Sequence, residues 1–156
     1  MIADLPGDLG VLLATFAVCL VSALVPVINA EIYLLAAGAL VSPLELPLVA
    51  ILAAAGQMTG KLVFFAAARG WGRVAGEATR RRLDRWRDRL ARWRGAEPAL
   101  VFVSASVGLP PLAVVSGVAG LMGMRARTFL LLGFAGRFVR FAVVLAIPIL
   151  VRLSVP

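Results

Sequence analysis

Four ionisable side chains sit inside or beside sequence that is otherwise apolar: Glu31, Lys61, Arg137 and Arg140. A charge held at the centre of a bilayer costs about 2.5–3.5 kcal/mol on insertion scales, so each needs a use or an escape. Glu31 has two readings. It is a titratable carboxylate able to take a proton or a cationic group, or an acid that stabilises the start of the helix following Asn29. Arg137 and Arg140 are three residues apart and share a helix face. Guanidinium forks suit a phosphate diester; the competing reading is that one or both snorkel from one to two turns inside their segment to the cytoplasmic interface. Lys61 lies mid-segment, where snorkelling is hardest, and Glu31 is a suitable counter-charge. Gln57 is either packing glue between helices or the lining of a cavity.

Histidine is absent and Cys19 is the only cysteine, placed in an apolar run where it packs. Zinc sites, haem ligation, disulfides and Ser–His or Cys–His catalysis are thereby disfavoured. No enzyme activity, metal or cofactor is expected.

These residues need elements to hold them. Of 156 residues, 62% are hydrophobic and the mean hydropathy is +0.98. Soluble chains run at about 45–50% apolar, so the pattern predicts an all-α polytopic membrane protein, with residues 1–156 as one membrane domain. The start, Met1 to Asp8, carries two acids and no basic flank, which predicts a retained first span over 9–28 and no cleaved leader. Residues 26–45 hold a run of only about thirteen apolar residues, a length typical of re-entrant or buried segments, which predicts a hairpin tipped near Glu31 to Gly38. Spans are predicted over 46–68 and 128–151. Residues 99–123 are apolar but interrupted by Gly108-Leu-Pro110-Pro111, and consecutive prolines remove two amide donors. Freed carbonyls in lipid need protein or water partners, which favours a hairpin that dips in and returns. The fold predicted is therefore about three full spans plus two opposed re-entrant hairpins.

Residues 71–95 differ. Nine of the chain's arginines lie between Arg73 and Arg94. Leu83, Trp86, Leu90 and Trp93 fall at spacings of 3, 4 and 3, on one helical stripe. Asp84 and Asp88 lie three or four residues from Arg80, Arg81, Arg87 and Arg92. The pattern predicts an amphipathic helix in the headgroup plane, with Trp86 and Trp93 inward and Arg81 and Arg87 on lipid phosphate. Its tether between spans makes anionic lipid the partner expected, and not nucleic acid. The positive-inside rule places it in the cytoplasm, and homo-oligomerisation is left open.

The chain also repeats itself. Ala37-Gly38 matches Ala119-Gly120 at an offset of 82, and Gly60-Lys61 through Phe65 matches Gly136-Arg137 through Phe141 at 76. Pro26, Gly38, Gly108, Pro110, Pro111 and Gly120 are read as hairpin breakers. Gly56 and Gly60, and Gly133 and Gly136, are read as close-packing positions. Broken segments in corresponding halves, entering from opposite faces, point to a substrate site at an inverted-repeat interface.

In order and spacing, Pro26-Val-Ile-Asn-Ala-Glu31, Ala37-Gly38, Gly56-Gln-Met-Thr-Gly60, Arg69, Gly72, Gly108-Leu-Pro110-Pro111, Ala119-Gly120, Met124, Phe129 and Gly136-Arg137-Phe-Val-Arg140-Phe141 resemble the DedA superfamily. This is also called the VTT or SNARE-associated family, and the likeness is to its short YqaA-like branch. The resemblance implies two opposed re-entrant hairpins in an inner (plasma) membrane. It further implies translocation of phospholipid or polyprenyl phosphate, by proton-coupled flipping or by scrambling. Lys61 stands where many members carry an acid, and Ala105 and Leu112 where arginines flank the second hairpin's proline. Other readings are a small proton-coupled exporter of cationic or amphipathic compounds and a non-transporting scaffold on the lipid surface.

Overall fold

A computed structural model describes residues 7–25, 28–74, 76, 77, 81, 84, 85, 88 and 95–154. Among these, six helices longer than one turn form and no strand does: α1 (Gly7–Leu24), α2 (Ala30–Leu40), α3 (Leu46–Val74), α4 (Glu97–Val107), α5 (Leu112–Leu121) and α6 (Ala126–Ser154). Two of them contain stretches long and apolar enough to cross a membrane, Leu46–Trp71 and Ala126–Val151. The third full span expected over 9–28 is shorter: α1 has 18 residues and ends at Leu24.

The first chain break also lies elsewhere than expected. Residues 31 to 38 are continuous helix within α2, and the backbone leaves helical geometry between Leu24 and Ala30. Gly38 is therefore an interior residue of α2 and no breaker, as is Gly120 within α5. Asn29 explains where α2 starts. Its backbone is extended, and its Oδ1 accepts the Glu31 N–H at 2.9 Å, the N-cap arrangement that satisfies an orphan donor. Pro26 lies outside the described residues.

The second break falls where the prolines predict it. Gly108 ends α4 at φ 91°, left-handed backbone that glycine adopts without a steric penalty. Neither Pro110 nor Pro111 has an N–H to continue a helix. The carbonyls of the two prolines are themselves met by protein: Ser104 Oγ donates to Pro110 O at 2.5 Å, and Pro111 O accepts from the N–H groups of Val114 and Val115 at 3.0 and 3.2 Å. Ser104 is fully buried. Ser104→Ala should lower stability by about 0.5–1.5 kcal/mol, the net contribution of a typical intramolecular hydrogen bond, read as a fall in detergent-solubilised melting temperature.

The chain divides into two compact units, Met1–Gly60 with Arg137–Pro156, and Lys61–Gly136. In the first, α2 packs through Gly38 on Leu145 of α6, and α3 crosses α1 at Gly56 and Gly60. A Cβ on Gly56 would collide with the Phe16 carbonyl, and one on Gly60 would lie 2.5 Å from Ala23 Cβ. In the second unit, a Cβ on Gly120 would collide with the Phe65 carbonyl, and one on Gly136 would lie 2.6 Å from Ala105 Cβ. Phe65 stacks on Phe129 with centroids 4.7 Å apart. Gly133 is buried in α6. Gly120→Ala presses a methyl group against backbone, which cannot swing aside. A loss of roughly 1–3 kcal/mol is expected, checked by thermal unfolding, with Gly117→Ala as the control because its Cβ direction is open.

On α6, Leu131, Val139, Val143, Ile147 and Leu150 are all exposed, at spacings of 8, 4, 4 and 3. Water would leave such an apolar stripe uncovered, so this face is compatible with lipid.

Candidate functional site

In the first unit Glu31 meets Arg140. Arg140 Nε donates to Glu31 Oε1 at 2.6 Å, and Arg140 Nη2 pairs with the same oxygen. The carboxylate therefore has both uses at once: it stands in the first turn of α2, where the helix dipole favours an acid, and it holds a guanidinium. Helix geometry fixes the positions of the two arginines along α6. Arg140 is the fifteenth residue of the 29 in α6 and Arg137 the twelfth, counting from Ala126. Fourteen residues on either side of Arg140 span about 21 Å at 1.5 Å per residue. Both arginines lie about three turns or more from either end of α6. Arg140 is engaged in the ion pair with Glu31.

Arg137 is placed differently. Its guanidinium carbon lies 5.8 Å from the Phe141 ring centroid, a cation–π contact on its own helix. Its Nε is buried and meets no hydrogen-bond acceptor among the described residues. Buried polar atoms in folded proteins almost always have partners, so this donor is a place where an acceptor is missing. Arg137 also lies in the electrostatic field of both Arg140 and Glu31, so the three charges form one group.

Gln57 is buried and donates from Nε2 to Ser22 Oγ at 2.8 Å; Ser22 in turn donates to Cys19 O at 2.9 Å. That is the geometry of glue between α3 and α1. Thr15 and Tyr33 hydroxyls lie 3.2 Å apart, joining α1 to α2. Sequence reasoning passed over Thr15 and Ser22, although Thr15, Cys19 and Ser22 recur at spacings of 4 and 3. This is a polar stripe on an apolar helix, and the signal was available.

In the second unit Lys61 is only 8% exposed, with Nζ 5.2 Å from the Phe64 ring centroid. Arg69 donates from Nη1 to Met124 O at 3.4 Å, so this arginine fastens the turn between α5 and α6. Of the basic segment, Glu77, Arg81, Asp84, Arg85 and Asp88 are helical, and exposed Arg81 pairs with Glu77 at 3.2 Å. Trp86, Trp93 and Arg87 lie outside the described residues.

The first unit thus assembles a mid-helix ion pair and a neighbouring arginine with an open donor. Such a group suits an anion that brings its own oxygen acceptors, phosphate above all. No curated protein and no solved structure matched the chain. A family model described as the VTT domain matches residues 25–148, which takes in α2 to α5, both breaks, Glu31, Lys61, Arg137 and Arg140, and by this match the chain belongs to the DedA/VTT family.

Proposed function

We propose that the protein is a multi-pass inner-membrane lipid transporter that passes phospholipid or polyprenyl-phosphate headgroups across the bilayer, coupled to protons through Glu31. The observation that carries this is the buried, unmet Nε of Arg137 near the midpoint of a helix long enough to span. Helix lengths support re-entrant pairs. The helices α2, α4 and α5 have 11, 11 and 10 residues, about 15–17 Å each at 1.5 Å per residue. That is roughly half a hydrocarbon core of about 30 Å. A half-length α2 entering from one face puts its first turn, with Glu31, near mid-depth, and Arg140 at the centre of α6 is consistent with that placement. The break before Ala30 and the break at Gly108 to Pro111 support the reading of α1/α2 and α4/α5 as the corresponding hairpins.

An exporter of cations would use a lone carboxylate, but Glu31 already holds Arg140, which favours an anionic substrate. The reading is tested by reconstituting the chain in liposomes and following headgroup accessibility with and without a pH gradient. Lipid exchange no faster than in protein-free vesicles under both conditions would refute it. For topology, a cysteine at Arg81 in a Cys19→Ser background should label only from the cytoplasmic side; labelling from the periplasm would reverse the orientation.

A further inference from the structure

The two long helices carry equivalent crossings. A Cβ on Gly60 would meet Ala23 Cβ at 2.5 Å and Leu20 O at 3.1 Å; one on Gly136 would meet Ala105 Cβ at 2.6 Å and Phe102 O at 2.7 Å. From Leu20 to Phe102 and from Ala23 to Ala105 the offset is 82, the same as from Gly38 to Gly120. From glycine to glycine it is 76, so the six-residue gap in the sequence repeat falls between the hairpins and the long helices. The step from one compact unit to the other comes at the same place in both helices, between Gly60 and Lys61 and between Gly136 and Arg137. A cation follows each glycine. Each lies by a phenylalanine of its own helix, Lys61 by Phe64 at 5.2 Å and Arg137 by Phe141 at 5.8 Å.

The equivalence then stops. Adding 82 to Glu31 gives Ala113, and subtracting 76 from Arg140 gives Phe64. The ion pair of the first unit has apolar counterparts in the second, and only the cation after the glycine is common to both. Lys61 is the sixteenth of 29 residues in α3, counting from Leu46, and is 8% exposed. A charge at that depth and burial is maintained against a large insertion penalty, in the position that in the other half is held by Arg137.

We propose that Lys61 is a second anion-binding position, equivalent to Arg137, so that one chain holds two anionic lipid headgroups, one in each unit. This rests on the lipid reading above and extends it. An ammonium group offers three rotatable donors and no fork, so Lys61 takes a phosphate as a point charge and binds it less selectively than Arg137.

The test counts bound lipid on the purified full chain in neutral detergent by native mass spectrometry. The probes are dihexanoyl phosphatidylglycerol and dihexanoyl phosphatidylcholine. Wild type should bind two molecules of phosphatidylglycerol, Lys61→Met and Lys61→Gln one, Arg137→Met one, and the double variant none. The affinity of the lost position should fall at least 10-fold, and Lys61→Arg should keep both. Phosphatidylcholine, whose headgroup is neutral overall, should fill neither position to the same extent. Two molecules retained in both Lys61→Met and Lys61→Gln would overturn the proposal, as would a single wild-type site lost in Arg137→Met. Glycerol 3-phosphate is the remaining arm: if it binds and the lipids do not, the positions serve a soluble anion and the proposal falls. Site counts do not depend on transport, so an inactive liposome assay refutes the lipid-transport reading separately.

Discussion

Arg137→Ala should reduce headgroup translocation by about 10- to 100-fold, the range set by losing one hydrogen bond to a charged group, while folded protein still accumulates in the membrane. The variant leaves the Glu31–Arg140 pair in place and removes a buried donor that meets no acceptor among the described residues. Arg137→Lys should recover only part of the rate, because a point charge lacks the fork that a phosphate diester accepts in two places. The check is the liposome headgroup assay run beside a melting curve for each variant. An unchanged rate in Arg137→Ala, with wild-type melting, would place the substrate path away from this arginine.

The second large effect concerns the ion pair. Glu31→Gln leaves Arg140 charged at the centre of α6, and Arg140→Gln leaves Glu31 charged at the start of α2. Each single change should destabilise by roughly 2–3 kcal/mol, near the insertion penalty for an unpaired charge. The double variant Glu31→Gln/Arg140→Gln should recover most of that loss, giving a coupling energy of about 2 kcal/mol in a double-mutant cycle. Additive single effects would mean that the two charges do not act together. The pair also bears on coupling. In the proposed transporter the carboxylate that holds Arg140 is also the proton carrier. Glu31→Gln should therefore abolish the response to a pH gradient and leave passive exchange.

Much of this was legible in residue types and spacing. Gly56 and Gly60, four apart, mark a crossing because a missing side chain lets backbones meet, and α1 lies there. Gly108 with Pro110 and Pro111 marks a break because neither proline can donate to a helix ladder. Two features were not legible, for physical reasons. The first break was sought inside the short apolar run, at Glu31 to Gly38, because a thirteen-residue run looks like a whole hairpin. The run forms one helix, α2, and its contact with α1 is tertiary. The pairing of Glu31 with Arg140 was the other, because 109 residues separate the two in the chain. Spacing along α6 shows that Arg137 and Arg140 share a face, and only tertiary packing shows which acid that face meets.

The sharing of α3 and α6 between units has a consequence for the order of assembly during synthesis. The unit Lys61–Gly136 is one unbroken stretch of chain, whereas the unit that holds the ion pair is interrupted by it. Glu31 and Arg140 are separated by 109 residues, so the carboxylate enters the membrane long before its guanidinium leaves the ribosome. Closing a loop that long is slow relative to local packing. The second unit is thus complete while the first still lacks its final helix segment, and a chain that ends early at Gly136 carries Glu31 without the arginine that holds it. The charged centre forms only after the whole second unit has been synthesised, and only a chain synthesised past Arg140 can possess it.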